Sequence, residues 1–279
     1  MTTFPTTTPA SGIAGAFARA HAEGRAALIP YVMAGYPDSA SSEAVAVALG
    51  AAGADVIELG VPFSDPLADG ATIQHASHRA LEQGMSLAGA LALAGRVSAR
   101  CATPLVMMTY YNPIFRFGLE AFASAASEAH LSGVIVPVLP PEEAEPLRAA
   151  LGGRGIALIF LVTPTSPPER IERICAIAAA SGGFLYCVSL SGVTGARDRL
   201  PEHLAEFVAR VRARAALPLV VGFGVSRPEH VAAIAAIADG AVVASALLDA
   251  VDAAPTEGRA EAAVAFLRTL QAGAAHASR

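Results

Sequence analysis

Two acidic residues in and after a short apolar run have the type and spacing needed for acid–base chemistry. Glu58 interrupts the run at residues 56–60, Val-Ile-Glu-Leu-Gly, and Asp69 follows in a loop that contains two prolines. If Ile57 and Leu59 face the helices, Glu58 faces the opposite side of the strand, toward the mouth of a barrel. Partial desolvation there raises a carboxyl pKa and allows the group to act as both acid and base. Two acids in unlike environments can then divide these roles.

Each acid also has a structural alternative. Glu58 could form an ion pair with a cation from a distant strand, although no Lys or Arg occurs between Arg25 and Arg79. Asp69, which precedes Gly-Ala-Thr at residues 70–72, could cap the start of a helix. The sequence therefore leaves both structural interpretations open beside the catalytic one.

Three later segments predict further parts of a site. Residues 221–226, Val-Gly-Phe-Gly-Val-Ser, and residues 244–246 could supply backbone N–H groups and a helix N-terminus to a phosphate group. Residues 191–198 contain two glycines and small polar side chains, which favour a mobile lid, with an ordinary turn as the alternative. The aromatic pair in residues 110–113 could line a pocket or could only pack.

Short apolar runs alternate with helical stretches along the chain and supply the strands that position these residues. The predicted strands are 27–32, 55–60, 105–109, 133–137, 157–162, 184–188, 219–222 and 240–244. This pattern predicts an α/β fold, a single-domain (β/α)₈ TIM barrel, with an extra N-terminal helix at 13–22 closing the bottom. Capping boxes are predicted at 166–169 and 226–229. An open doubly wound sheet would need a glycine fingerprint at 34–38, which is missing.

Composition limits the remaining classes. The chain has 279 residues, 54% of them hydrophobic and 15% charged, which suits one barrel. Residues 1–10 are predicted to be a flexible N-terminal tail and 11–279 the barrel domain. A formal net charge of −5 argues against a nucleic-acid partner. The most apolar region, 231–248, is broken by Asp239-Gly240, so no membrane span is predicted.

Cysteine and histidine usage predicts neither a disulfide framework nor a metal site. The three cysteines, Cys101, Cys175 and Cys187, are odd in number and widely spaced, which favours reduced thiols in a cytoplasm. His75 and His78 have no third ligand nearby in the sequence, so no metal is expected.

Together these motifs make the sequence resemble the α subunit of tryptophan synthase, from about residue 25 to residue 273. The most specific match is residues 58–70, Glu-Leu-Gly-Val-Pro-Phe-Ser-Asp-Pro-Leu-Ala-Asp-Gly, followed by Thr-Ile-Gln at 72–74. Supporting matches occur at Pro30-Tyr31, Asn112-Pro113, 191–195 and 222–226. The resemblance implies a carbon–carbon lyase of tryptophan biosynthesis that performs retro-aldol cleavage of indole-3-glycerol phosphate to indole and glyceraldehyde 3-phosphate.

The resemblance also implies a role for individual residues. Glu58 and Asp69 would be catalytic. The substrate-binding residues would be Tyr31, Tyr186, Thr194 and Phe223; the phosphate-binding residues would be Gly195, Gly224, Ala244 and Ser245; and Pro62 and Asp65 would contact the partner. The chain departs from the family where Val138 stands in place of a usual aspartate, Ala244 in place of a common glycine and Tyr31 where phenylalanine is frequent.

The family resemblance implies no cofactor in this subunit and a β subunit as partner in an α2β2 heterotetramer. That partner would contain pyridoxal phosphate and receive indole through a tunnel. Three alternatives stay open: a stand-alone indole-releasing lyase, another phosphate-binding barrel of tryptophan biosynthesis, and a non-catalytic regulatory barrel that binds a β-type partner. The chain has no lysine, which counts against the neighbouring synthase, and the two acids favour catalysis.

Overall fold

The fold is a closed barrel of eight parallel strands. In the computed structural model, residues 12–67, 69–188, 203–222 and 224–275 are described. The strands pair in chain order and β8 closes against β1. They are β1 (Ala27–Met33), β2 (Ile57–Gly60), β3 (Leu105–Met108), β4 (Leu131–Ile135), β5 (Ala157–Val162), β6 (Leu185–Val188), β7 (Leu219–Gly222) and β8 (Gly240–Val243). The TIM-barrel prediction is confirmed.

Helices surround the barrel and connect its strands. They are α1 (Ile13–Ala22), α2 (Ser39–Ala51), α3 (Ala71–Glu82), α4 (Leu87–Ser98), α5 (Tyr111–Phe117), α6 (Leu119–Glu128), α7 (Glu145–Gly152), α8 (Pro168–Ser181), α9 (Leu204–Arg212), α10 (Pro228–Ala235), α11 (Ser245–Asp252) and α12 (Arg259–Gln271). Short 3₁₀ turns lie at Pro141–Glu143 and Thr256–Gly258. None of the helices in the described part of the chain is long and apolar enough to cross a membrane.

Alternation along the strands sorts side chains into two apolar layers. In β2, Ile57 and Leu59 pack in the layer between barrel and helices. In β1, Ile29, Tyr31 and Met33 belong to the layer inside the barrel. Successive side chains of a strand point to opposite faces, so this pattern directs Glu58 inward, as predicted.

Helix α1 closes the bottom of the barrel, as the sequence predicts. Its buried residues include Ile13, Ala16 and Phe17, which join the interior layer. The Phe17 and Phe184 rings lie 5.8 Å apart. Because this end is closed by an apolar helix, a ligand must approach from the opposite end, where the strands terminate.

The two predicted capping boxes are wrong. Helix α8 begins at Pro168 after the N-cap Pro167, and α10 begins at Pro228 after the N-cap Arg227; neither N-cap side chain makes a capping hydrogen bond. The Ser166 Oγ instead accepts a hydrogen bond from the Thr163 N–H in its own loop, and the Ser226 Oγ lies 3.5 Å from the His230 Nδ1 of α10. Proline, whose φ suits the first helical turn, sets the start one residue later than predicted.

Strand ends differ from prediction by one or two residues. β2 begins at Ile57 and not at residue 55, and β4 spans Leu131–Ile135 and not 133–137. Pro137 has no N–H for a ladder hydrogen bond, which explains the earlier end of β4. The predicted tail at 1–10 and the lid at 191–198 lie outside the described residues, and the extent of the domain, 11–279, stays a prediction.

Candidate active site

Glu58 is buried inside the barrel near the end of β2. The residue is 1% exposed, and its Oε2 atom has no hydrogen-bond partner among the described residues. Burial, together with the negative charge of Asp69, raises the pKa of the Glu58 carboxyl to about 8. A glutamate in this environment is a proton donor at neutral pH. The alternative of a structural ion pair is wrong for the described residues, where Arg25 pairs with Asp55 instead.

Asp69 approaches the same interior from the loop between β2 and α3. Hydrogen bonds from helix α3 hold this loop at two points. The Ser77 hydroxyl accepts a hydrogen bond from the Phe63 N–H (2.8 Å) and donates one to the Phe63 carbonyl (3.0 Å). The Gln74 amide donates a hydrogen bond to the Asp69 backbone carbonyl (2.9 Å). The N-cap of α3 is Gly70, with no side-chain capping bond. The helix-cap interpretation of Asp69 is therefore wrong, and its carboxyl group is available to the site.

Tyr110 connects this loop to the end of β3. Its hydroxyl donates a hydrogen bond to the Asp69 Oδ2 at 3.3 Å, and its ring stacks on Phe63 with centroids 4.7 Å apart. Sequence reasoning leaves Tyr110 between a pocket residue and a packing residue. The signal that favours a pocket is its position directly after a strand that neighbours β2, where parallel strands bring their ends together.

The two carboxyl groups differ in acidity because their surroundings differ. Burial raises the pKa of Asp69 to about 6, while the Tyr110 hydrogen bond opposes the rise. The described residues include no such donor to Glu58, and its pKa reaches about 8. Near pH 7 the site therefore contains a protonated glutamic acid beside an ionised aspartate, the combination that separates a proton donor from a hydrogen-bond acceptor.

Two tyrosines line the interior beside these acids, each in space left by a glycine. Tyr31 pairs in register with Glu58, and a Cβ added to Gly60 would collide with the Tyr31 hydroxyl oxygen. Across the barrel, a Cβ at Gly222 would collide with the Tyr186 ring and its hydroxyl oxygen. The pKa of both phenols is raised well above the usual value, first by burial and then by the charges of the two acids. The structure thus brings Tyr31 and Tyr186 together with the acids.

Three of the four predicted phosphate-binding residues, Gly224, Ala244 and Ser245, lie at the ends of β7 and β8. Gly224 has a φ of 50°, a backbone conformation that favours glycine. Ala244 follows β8, packs partly against the interior layer, and is the N-cap of α11, whose first residue is Ser245. Free N–H groups of a helix start at this mouth suit an anion. Thr194, Gly195 and Phe223 lie outside the described residues.

The mouth of the barrel also exposes apolar side chains. Leu67, in the loop that contains Asp69, is 91% exposed, and Phe115 and Val138 are half or more exposed. Phe115 also borders a groove of about 590 Å³ next to Phe63 and Asn112. Of the two residues predicted to contact a partner, Asp65 is exposed and Pro62 is buried.

Taken together, the closed barrel, the paired acids at its mouth and the anion-suited rim define a TIM-barrel enzyme with an acid–base site. Residues 17–276 match the family model described as tryptophan synthase alpha chain. The chain belongs to this family. It is accordingly a carbon–carbon lyase of tryptophan biosynthesis, which cleaves indole-3-glycerol phosphate into indole and glyceraldehyde 3-phosphate.

Individual relatives agree over nearly their whole length. The chain is 50% identical over 261 residues to the tryptophan synthase alpha chain of Chloroflexus aurantiacus, covering 93% of this chain and 97% of that protein. It is 51% identical over 262 residues to that of a Roseiflexus species, covering 94% and 99%. A structure of Mycobacterium tuberculosis tryptophan synthase superposes with a TM-score of 0.86 at 41% identity, covering 96% of this chain and 100% of that one.

Proposed function

We propose that Glu58 and Asp69 perform the cleavage as an acid–base pair. The observation that supports this is their offset acidity: the pKa of Glu58 is raised to about 8 and that of Asp69 to about 6. Protonated Glu58 delivers its proton to carbon 3 of the indole ring. Its carboxylate then takes the proton of the chain hydroxyl as the carbon–carbon bond breaks. Positioned proton transfer of this kind contributes about 10²- to 10⁴-fold.

Asp69 stabilises the ring during this step. Protonation of carbon 3 makes the ring N–H more acidic, and an ionised carboxylate is the acceptor that such a group favours. The hydrogen bond from Tyr110 keeps Asp69 more acidic than burial alone would. A retro-aldol reaction also needs an electron sink, and the chain has no lysine for a Schiff base. The protonated indole ring itself therefore accepts the electron pair, without a cofactor in this chain.

The remaining predicted residues hold the two ends of the substrate. Tyr31, Tyr186 and Phe223 flank the indole ring, and Thr194 meets Asp69 when the lid closes. Backbone N–H groups of Gly195, Gly224, Ala244 and Ser245 bind the phosphate, supported by the start of α11 at this mouth. Substrate held at both ends places the scissile bond beside Glu58.

We further propose that the exposed apolar mouth binds a β subunit that contains pyridoxal phosphate, in an α2β2 assembly in the cytoplasm. Leu67, Phe115 and Val138 are exposed there, and Asp65 lies in the same loop as Leu67. Exposed apolar patches around a polar rim are typical of interaction sites. The three free thiols suit a reducing compartment.

Indole release from indole-3-glycerol phosphate, measured with and without a tryptophan synthase β subunit, tests this function. The expected result is slow release by the isolated chain and stimulation by the partner. Fast release that the partner does not change would indicate the stand-alone lyase. No release under either condition would indicate the regulatory barrel.

A surface substitution tests the docking site. Leu67→Ser removes a large exposed apolar side chain, whose burial in an interface is worth about 1.5–3 kcal/mol. We expect the affinity for the β subunit, measured by titration calorimetry, to fall at least about tenfold. The matched control is Arg19→Ser, on the exposed side of α1 at the closed end of the barrel. Equal affinities for both variants would contradict docking at the mouth.

A further inference from the structure

The hydroxyl group of Tyr31 has surroundings that packing against an indole ring does not require. Tyr31 is buried, and its hydroxyl donates a hydrogen bond to the Met33 sulfur at 3.9 Å. Thioether sulfur is a weak acceptor. A buried hydroxyl without a good partner costs about 1–3 kcal/mol. Phenylalanine would fill the same space without that cost, so the hydroxyl calls for an explanation of its own.

The hydroxyl lies above Glu58, one step nearer the mouth. Tyr31 and Glu58 are register partners in adjacent strands, while the hydroxyl oxygen lies against Gly60, where it leaves no room for a Cβ. Residues 58 and 60 of one strand face the same side. The hydroxyl therefore extends over the face of β2 from which the Glu58 carboxyl projects.

Tyr31 has a proton to donate at working pH. Burial, and then the charges of Asp69 and Glu58, raise its pKa well above the usual value, so the phenol keeps its proton. Beside it, the Glu58 Oε2 has no hydrogen-bond partner among the residues the structure describes. A weakly bound donor and an unpaired carboxyl oxygen thus lie on neighbouring strands, at the place where the chain hydroxyl must be deprotonated.

We propose that Tyr31 is a further catalytic residue, whose hydroxyl donates a hydrogen bond to the substrate oxygen on the carbon bonded to the indole ring. The proposal rests on the function proposed above. The Glu58 carboxylate takes the proton from that oxygen, and the oxygen forms the carbonyl of the aldehyde. The electron pair of the broken carbon–carbon bond returns to the ring and neutralises the ring nitrogen. Tyr31 keeps its proton and stabilises the negative charge that develops on the oxygen.

Tyr31→Phe tests the proposal because it removes only the hydroxyl. We expect kcat for indole release to fall roughly 10- to 100-fold, since losing one donor to a developing oxyanion costs up to 10²–10³-fold. KM should rise about five- to tenfold, because the same hydroxyl also binds the oxygen of the intact substrate. The matched control, Tyr111→Phe, removes a hydroxyl from α5 and leaves kcat unchanged. The melting temperature of Tyr31→Phe should equal or exceed that of the wild type, because no strong hydrogen bond is lost.

Binding separates contact with the substrate oxygen from a general change in the site. In a Glu58→Gln background, which stops turnover, Tyr31→Phe should weaken binding of indole-3-glycerol phosphate about five- to tenfold. Binding of indole-3-propanol phosphate, which keeps the ring and phosphate but lacks the chain hydroxyls, should not change. An unchanged kcat, or equal weakening for both ligands, would overturn the proposal. Absence of indole release by the wild type would instead count against the proposed function.

Discussion

The bottom and the mouth of the barrel each contain a buried acid of the same chain segment, and the two have opposite surroundings. Asp55 is 3% exposed and Glu58 is 1% exposed, and only two residues separate them. Asp55 precedes β2 at the closed end, and Glu58 lies in β2 toward the open end. Burial alone therefore cannot distinguish a structural acid from a chemical one.

The hydrogen-bond partners of the two acids distinguish the structural acid from the chemical one. Arg25 donates to both oxygens of Asp55, at 2.6 and 2.8 Å, and the Leu28 N–H donates at 2.8 Å. These bonds join the segment before β2 to the start of β1. Glu58 has an oxygen without a partner in the described part of the chain, and its pKa is raised to about 8. An acid held by full pairing stabilises the fold, whereas an acid left unpaired is available to a substrate.

Replacing the unpaired acid should produce the largest loss of activity. We expect Glu58→Gln to lower kcat for indole release by at least about 10²- to 10⁴-fold, because the amide cannot donate or accept the proton. Substrate affinity, measured by calorimetry, should change little because glutamine keeps the shape. Turnover within tenfold of the wild type would show that another group transfers the proton.

The same variant should remove a pH dependence of stability. The folded-state pKa of Glu58 is raised from 4.5 to about 8, so between these pH values the folded protein holds a proton that the unfolded chain releases. The free energy of unfolding therefore falls as pH rises through this window. Glu58→Gln lacks this decline, so its stability relative to the wild type should increase from pH 5 to pH 8. A constant difference across denaturant titrations at several pH values would contradict the raised pKa.

Replacing the paired acid should affect stability and leave the chemistry intact. Asp55→Asn leaves the Arg25 guanidinium and the Leu28 N–H with a weaker acceptor. Breaking a buried pair costs about 3–5 kcal/mol, and because Arg25 is partly exposed we expect about 3 kcal/mol. The melting temperature should fall by roughly 6–9 °C, while kcat per folded molecule stays within about twofold.

A control variant isolates the effect of burial on this ion pair. Glu23 also binds the Arg25 guanidinium, at 2.7 Å, but it is exposed. Glu23→Gln should cost less than about 1 kcal/mol, as exposed ion pairs usually do. If Asp55→Asn and Glu23→Gln lowered stability equally, or if Asp55→Asn abolished kcat, the assignment of a structural role to Asp55 and a catalytic role to Glu58 would be wrong.

The comparison also explains how much the sequence could predict. Strand number, barrel closure and the inward direction of Glu58 follow from apolar runs and alternation, which are local properties. The partner of each acid is not local: Arg25 is 30 residues from Asp55 in the sequence, and Tyr110 is 41 residues from Asp69. Pairing across such distances depends on strand register, which a single sequence does not specify. The capping boxes failed for another reason, because proline fixes the start of α8 and α10.

Asp69 is intermediate between the fully paired Asp55 and the unpaired Glu58, because the Tyr110 hydroxyl donates a hydrogen bond to it at 3.3 Å. That bond lowers a pKa that burial raises to about 6, so Tyr110→Phe should raise the pKa of Asp69 further. Because Asp69 must be ionised to accept the ring N–H, indole release should fall about two- to fivefold at pH 6, the effect of a modest hydrogen bond.

The pH profile separates this effect from a loss of packing. In Tyr110→Phe the ring that stacks on Phe63 is retained, so the rate at pH 7.5, where Asp69 is ionised in both proteins, should stay near the wild-type value. The acid limb of the kcat profile, measured from pH 5 to pH 8, should move to higher pH, while Tyr111→Phe leaves it in place. An acid limb that did not move would mean that the Tyr110 hydrogen bond does not affect the pKa of Asp69 during catalysis. Asp69 would then resemble the unpaired Glu58.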